Sequence, residues 1–202
     1  MPIKNILALI SNKEFRKKHP TFDVDPEILI WARLHAEVWL PRWKQGIQRH
    51  WTEDEERNNY IGLIGHKCFE LTLQQLEIPY VPNDPVIDWR GKKKYDFRIP
   101  HIETLEVKTV DYKEIQKRLL IKCSEWHNSD YVFTIKLNDE TPTKAKFVGY
   151  APNEEILTEF IYAEKEWPCR FASCYWQFLE RLHPASEFFQ MLRQKTKDCW
   201  KT

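Results

Sequence analysis

The chain has 202 residues, with 31 Lys and Arg against 30 Asp and Glu and a net charge of +1. That length is enough to bury a substantial core in a single domain, and the balanced charge excludes a global basic field, so any nucleic-acid surface has to be a local patch. No apolar run approaches the roughly 18 residues of a membrane span, and "MPIKNILALI" carries no cleavage signal, so a soluble intracellular protein, cytoplasmic or nucleoid-associated and with no membrane partner, is expected.

From Pro26, "PEILIWARLHAEVWL" has helical spacing in Ile28, Trp31, Leu34, Val38 and Leu40, and Pro41 is expected to stop the helix. The next helix lies in "TEDEERNNYIGLIGHKCFELTLQQLEI", where Thr52 and Glu55 fit a capping box and Pro79 marks the end. The period then changes to two. "VIDWRGKKKYDFRI" reads as a hairpin turning near Arg90 to Lys93, and "TLEVKT" as a third strand. "KEIQKRLLIKCSEWH" reads as a helix, "YVFTIKL" and "AKFVGYAP" as the fourth and fifth strands, and "NEEILTEF" as a short helix that Asn153 could cap. "ASCYWQFLERLHPASEFFQMLRQ" reads as two helices divided at Pro184.

This order predicts an α/β protein with a mixed central sheet of about five strands flanked by helices. Within one domain, residues 1–58 form an amino-terminal helical layer, 59–150 the core and 151–202 the carboxyl-terminal helices. Five scattered cysteines without a CxxC pair read as reduced thiols. Neither Cys123 with His127 nor Cys169 with Cys174 has the spacing of a zinc site.

The chemistry concentrates in "YDFRIPHIETLEVKT". Alternate side chains of a strand share a face, so Glu106 and Lys108 point one way while Leu105 and Val107 point the other. If the preceding strand pairs with this one across Pro100 and His101, Asp96 approaches Glu106. Two close carboxylates repel, and a hard divalent cation relieves that repulsion while keeping several waters. On the preceding helix, Asn59, His66, Glu70 and Glu77 fall within a sector roughly 40° wide, opposite Ile61, Ile64, Cys68 and Leu71. That stripe offers a further carboxylate.

An acidic helix, a hairpin bearing Asp96, a strand with the Glu106-Val107-Lys108 triplet, a crossover helix and a further strand together resemble the PD-(D/E)XK nuclease superfamily over about Asn59 to Tyr150. The resemblance implies a restriction-endonuclease-like fold and Mg²⁺-dependent (or Mn²⁺-dependent) hydrolysis of phosphodiester bonds, in most members of DNA. By position it implies Asp96 and Glu106 as metal ligands, the main-chain carbonyl of Val107 as a further ligand, and Lys108 as the group that positions the attacking water. On the helix the choice lies between Glu70, the better match, and His66, which stands where Glu often does. Tyr95 replaces the proline of the motif, and Asp88 is a substitute for Asp96 of second rank.

Lys92, Lys93 and Lys94 at the hairpin tip, and Lys113, Gln116 and Lys117 after the motif, are candidate nucleic-acid contacts. Tryptophans such as Trp31, Trp39, Trp43 and Trp51 serve the core, or stack on bases. Nucleases that cut both strands often pair two sites by twofold symmetry, which makes a homodimer an expectation. Two other readings stay open: a binding or assembly protein that keeps the fold without the chemistry, and a plain cross-strand ion pair on a solvated sheet.

Overall fold

The computed structural model describes residues 18–46, 53–82, 95–100, 103–112, 118–123, 129–164 and 173–199. Strand β1 (Thr21–Asp23) leads into helix α1 (Pro26–Gly46). Asp25 starts this helix: its carboxylate accepts the main-chain N–H of Glu27 at 2.9 Å, and Pro26 occupies the first helical position, where no N–H is needed. The helix continues through Pro41 to Gly46, which corrects the expected stop. A proline removes one backbone hydrogen bond and kinks a helix without being obliged to end it.

Helix α2 (Glu53–Gln75) ends before Pro79 in a Schellman closure. Ile78 N–H donates to Leu73 O at 2.9 Å and Glu77 N–H to Gln74 O at 3.1 Å, with Glu77 at φ 55°. Leu73 and Ile78 supply the buried apolar contact of that motif.

Strands β2 (Val81–Pro82), β3 (Phe97–Ile99), β4 (Glu103–Val110), β6 (Tyr131–Leu137), β7 (Lys144–Pro152) and β10 (His183–Pro184) join β1 in a seven-stranded sheet, ordered β1-β7-β6-β4-β3-β2 with β10 also on β7. Only β4 and β6 are parallel among its pairs, so the sheet is mixed and the chain belongs to the α/β class. Asp130 sets that parallel register. Its Oδ2 accepts from the N–H and hydroxyl of Thr104 at 2.8 and 2.5 Å, and its own N–H donates to Thr104 O at 3.0 Å.

The connection from β4 to β6 contains strand β5 (Arg118–Lys122) where a crossover helix was expected. Leu119 and Ile121 are buried while Leu120 and Lys122 are exposed, a period of two that the unbroken apolar run "LLI" conceals. β5 pairs with β9 (Cys174–Phe178), and β9 with β8 (Ile161–Ala163), in a second, three-stranded sheet. The first of the two expected carboxyl-terminal helices is thus β9, followed by a 3₁₀ turn at Leu179–Arg181 and β10. The second is α4 (Ala185–Cys199). Helix α3 (Asn153–Glu159) is capped at Pro152 with no side-chain bond, so Asn153 is its first residue and does not cap it. The main-chain N–H of Asn153 goes instead to Asp130 O at 2.7 Å.

The central sheet separates two cores. On one face α1, α2 and α4 pack on Phe97, Leu105, Val107, Phe133 and Phe147. Phe69 sits at its centre, with ring centroids 4.8 Å from Phe133 and 5.4 Å from Phe97. On the other face Val110, Val132 and Val148 meet Leu119 and Ile121 of the second sheet and Ile156 of α3. Among the described side chains of α1 the buried positions are Ile28, Ala32 and Ala36, while Leu34, expected inward, is 55% exposed.

Arg57 fastens α2 to the far end of β4. It pairs with Asp111 at 3.0 Å and Glu140 at 2.7 Å, and its guanidinium lies 5.4 Å from the Tyr112 ring centroid. The hydrogen bonds to Asp111 first, then Glu140, raise its pKa further above the ordinary arginine value.

Among the thiols, Cys68 and Cys123 are free, whereas Cys174 is disulfide-bonded, which corrects the reading of all five as reduced. Separation along the chain does not measure separation in space. Burial pushes the Cys68 thiol up to about 12. No helix among the described residues is long and apolar enough to cross a membrane.

Candidate functional site

The β3–β4 hairpin is antiparallel and in register at Phe97 with Leu105 and Ile99 with Glu103. Asp96 precedes the first paired residue, Phe97, at a bend just outside the ladder. Alternate residues of a strand project to the same side, so Glu106 and Lys108 of β4 share one face. Asp96 N–H donates to Leu105 O at 2.8 Å, and Asp96 Oδ2 accepts the main-chain N–H of Val107 at 2.7 Å. Where β3 leaves the ladder, the Asp96 carboxylate takes over as acceptor for β4.

Glu106 and Lys108 are ion-paired at 2.8 Å, with side chains 23% and 24% exposed. An ion pair this far from water is screened less than a surface pair. The carboxylates of Asp96 and Glu106 and the Val107 carbonyl are hard oxygen donors, the type that Mg²⁺ or Mn²⁺ prefers. The ammonium of Lys108 stands next to Glu106, a compact charge with three donors on a flexible stem.

Helix α2 meets the opposite side of β4. Gly65 packs on Thr109, and Leu105 and Val107 share the core with Ile61, Ile64 and Phe69. Glu70 on this helix is held by Lys67 at 2.5 Å and accepts the Tyr80 hydroxyl at 3.1 Å, while Gln74 donates to that hydroxyl oxygen at 2.7 Å. Burial, opposed by the Gln74 bond and aided by the charge of Glu70, pushes the Tyr80 hydroxyl above its ordinary value. No group of three or more His, Cys, Asp or Glu converges among the described residues, so Glu70 does not join Asp96 and Glu106 in one cluster.

His66 is 7% exposed and stacks on Phe97 with ring centroids 4.5 Å apart. The expected polar stripe on α2 is therefore broken at His66, which packs into the core, and at Glu77, which lies beyond the helix end. A helical wheel places residues by angle only, and here the partner layer wraps farther around the helix than the apolar residues indicate.

Asp88, Lys92, Lys93, Lys94, Lys113, Gln116, Lys117, Trp51 and Thr52 lie outside the described residues, as does the expected turn at Arg90 to Lys93. Of Trp39 and Trp43 only the helical backbone is described. Trp31 packs against the first core, and Lys67 lies 5.2 Å from its ring centroid.

The residue that sequence reasoning missed is Thr134. It pairs with Lys108 across the parallel ladder, is fully buried, and its hydroxyl has no hydrogen-bond partner among the described residues. The available signal was its polarity inside the otherwise apolar run "VFTI".

No protein-family model matches the chain, and no curated protein matches it.

Proposed function

We propose that the chain is a metal-dependent nuclease that hydrolyses phosphodiester bonds, in the first place a DNA endonuclease. The observation that supports this most is that the Asp96 carboxylate sits on the main-chain N–H of Val107, between the ion-paired Glu106 and Lys108. Asp96, Glu106 and the Val107 carbonyl would hold Mg²⁺ or Mn²⁺. Such a cation, when bound, lowers the pKa of a bound water and offsets charge on the phosphoryl oxygens.

The rest is the work of the chain's own groups. The Val107 N–H fixes the Asp96 carboxylate, and Glu106 holds Lys108 by an ion pair. Lys108 then orients the attacking water and balances negative charge as the phosphorus becomes five-coordinate. Lys92, Lys93, Lys94, Lys113, Gln116 and Lys117 would be the DNA contacts, and two chains would cut the two strands of a duplex.

The test is cleavage of plasmid, linear and branched DNA with Mg²⁺ or Mn²⁺. Wild-type protein is expected to cut, and activity that survives both Asp96→Ala and Glu106→Ala sinks the assignment.

A second reading, a nucleic-acid-binding or assembly protein without the chemistry, draws on one observation: β5 stands where the resemblance implies a crossover helix. Calorimetry separates the two. A Mn²⁺ site lost in Glu106→Gln favours the enzyme, and DNA affinity without metal uptake favours the binder.

A further inference from the structure

Thr134 on β6 is the direct neighbour of Lys108 on β4. Paired residues of parallel strands project to the same side, so Thr134 lies on the face of Glu106 and Lys108, one strand spacing of about 4.8 Å away. Val132, on the same face of β6, packs in the core between the two sheets, which fixes the direction of Thr134 independently.

The hydroxyl of Thr134 is buried and has no hydrogen-bond partner among the described residues, with the residue at 0% exposure. A buried hydroxyl without a partner costs free energy that a valine of the same shape does not. Its neighbours Val132, Phe133 and Ile135 are apolar and buried. A polar atom kept at a cost, beside an ion pair that sits among candidate metal ligands, fits a group used in a second state of the site.

We infer that Thr134 is a positioning residue for Lys108. In the present state Glu106 Oε1 accepts from Lys108 Nζ at 2.8 Å. Once Glu106 turns to a divalent cation, it is no longer fully available to the ammonium. Thr134 Oγ1 then accepts a hydrogen bond from Lys108 Nζ and keeps that group beside the water it orients. Lysine has three donors on a flexible four-carbon stem, which suits a shift from one acceptor to a neighbour across the ladder.

This inference rests on the nuclease reading, and its test separates the two. Thr134→Val and Thr134→Ser are made in the full chain. Without metal, Thr134→Val is expected to melt at or above the wild-type temperature, because the lone hydroxyl is gone. With Mn²⁺, its kcat should fall about tenfold, the worth of one hydrogen bond to a charged group. KM and the calorimetric Mn²⁺ affinity should stay unchanged, and Thr134→Ser should restore kcat. A crystal structure with Mn²⁺ should place Lys108 Nζ within hydrogen-bond reach of Thr134 Oγ1.

Wild-type kcat in Thr134→Val, or its marked destabilisation without metal, overturns the role of Thr134 while leaving the nuclease reading intact. A wild-type chain that takes up no Mn²⁺ and cuts no DNA overturns both.

Discussion

Gly65 lies against Thr109 so closely that a Cβ on the glycine would overlap the threonine Oγ1 and stand 3.0 Å from its Cβ and Cγ2. The glycine is what lets α2 approach β4. Gly65→Ala should destabilise the fold by about 1–3 kcal/mol, as overpacking does. Thr109→Ala removes the oxygen and the methyl, so the double variant should recover most of the loss. Urea unfolding of the four proteins measures this, and strictly additive effects would show that the two residues do not press on each other.

Glu77 closes α2 with φ 55°, a conformation that glycine adopts without the side-chain penalty. Glu77→Gly should therefore stabilise the protein by about 0.5–1 kcal/mol, while Glu77→Val should destabilise it by a comparable amount. Thermal melting that ranks valine above glycine would contradict the closure described.

His19 stands 2.6 Å, through Nδ1, from the carbonyl oxygen of Val148. Burial, with smaller effects of Lys146 and Lys18, outweighs that bond and lowers its pKa below the ordinary 6.5. The unfolded chain then takes up the proton first as pH falls. The contribution of His19 is complete above pH 6.5 and is lost as pH drops from there through the folded-state value. His19→Asn, which can keep a donor to Val148, should flatten the stability profile in that window. An unchanged slope in urea titrations across the window would count against this.

Glu70 and Glu106 should respond differently to loss of charge. Glu106→Gln removes a carboxylate beside Asp96 and Lys108, and should cost about a thousandfold in metal-dependent cleavage, or about 4 kcal/mol of barrier. Glu70→Gln disturbs an ion pair with Lys67 and a bond from Tyr80 on the other side of the sheet, and should leave activity within about tenfold. Equal losses in both variants would mean that α2 supplies a ligand after all.

Thiol chemistry offers a check on the core. Cys68 is fully buried with its pKa raised to about 12, so it is neither reachable nor ionised near neutral pH. Native Cys68→Ser should show the same number of fast-reacting thiols as wild type, and one fewer only in denaturant. A lost fast-reacting thiol in the native state would place Cys68 at the surface.

The strands β4, β6 and β7 were legible because each alternates or runs apolar between clear turns, and the pairing of β3 with β4 followed from the short connection at Pro100 and His101. The second sheet was not legible. In β5 an outward Leu120 completes an unbroken apolar run, and in β9 the aromatic residues of "CYWQF" fit either period. What decides both is each other: Leu120 lies beside Trp176, far along the chain, and no local pattern carries that information. At the candidate site, alternation alone put Glu106 beside Lys108. The choice between His66 and Glu70 needed the packed structure, because a ring stacked on Phe97 and a carboxylate tied to Tyr80 look alike on a helical wheel.

The two sheets also differ in how they can form. The hairpin that brings Asp96 to Glu106 closes a loop of a few residues, and Asp130 draws β6 to β4 soon after in the chain. The pairing of Arg118 with Phe178 closes a loop more than seven times longer than that of Phe97 with Leu105. Loop closure of that kind is slow and is rewarded late. During refolding, amide protection should therefore appear in β3, β4 and β6 before β5 and β9, so that the carboxylate-bearing strands assemble before the layer that covers their neighbours.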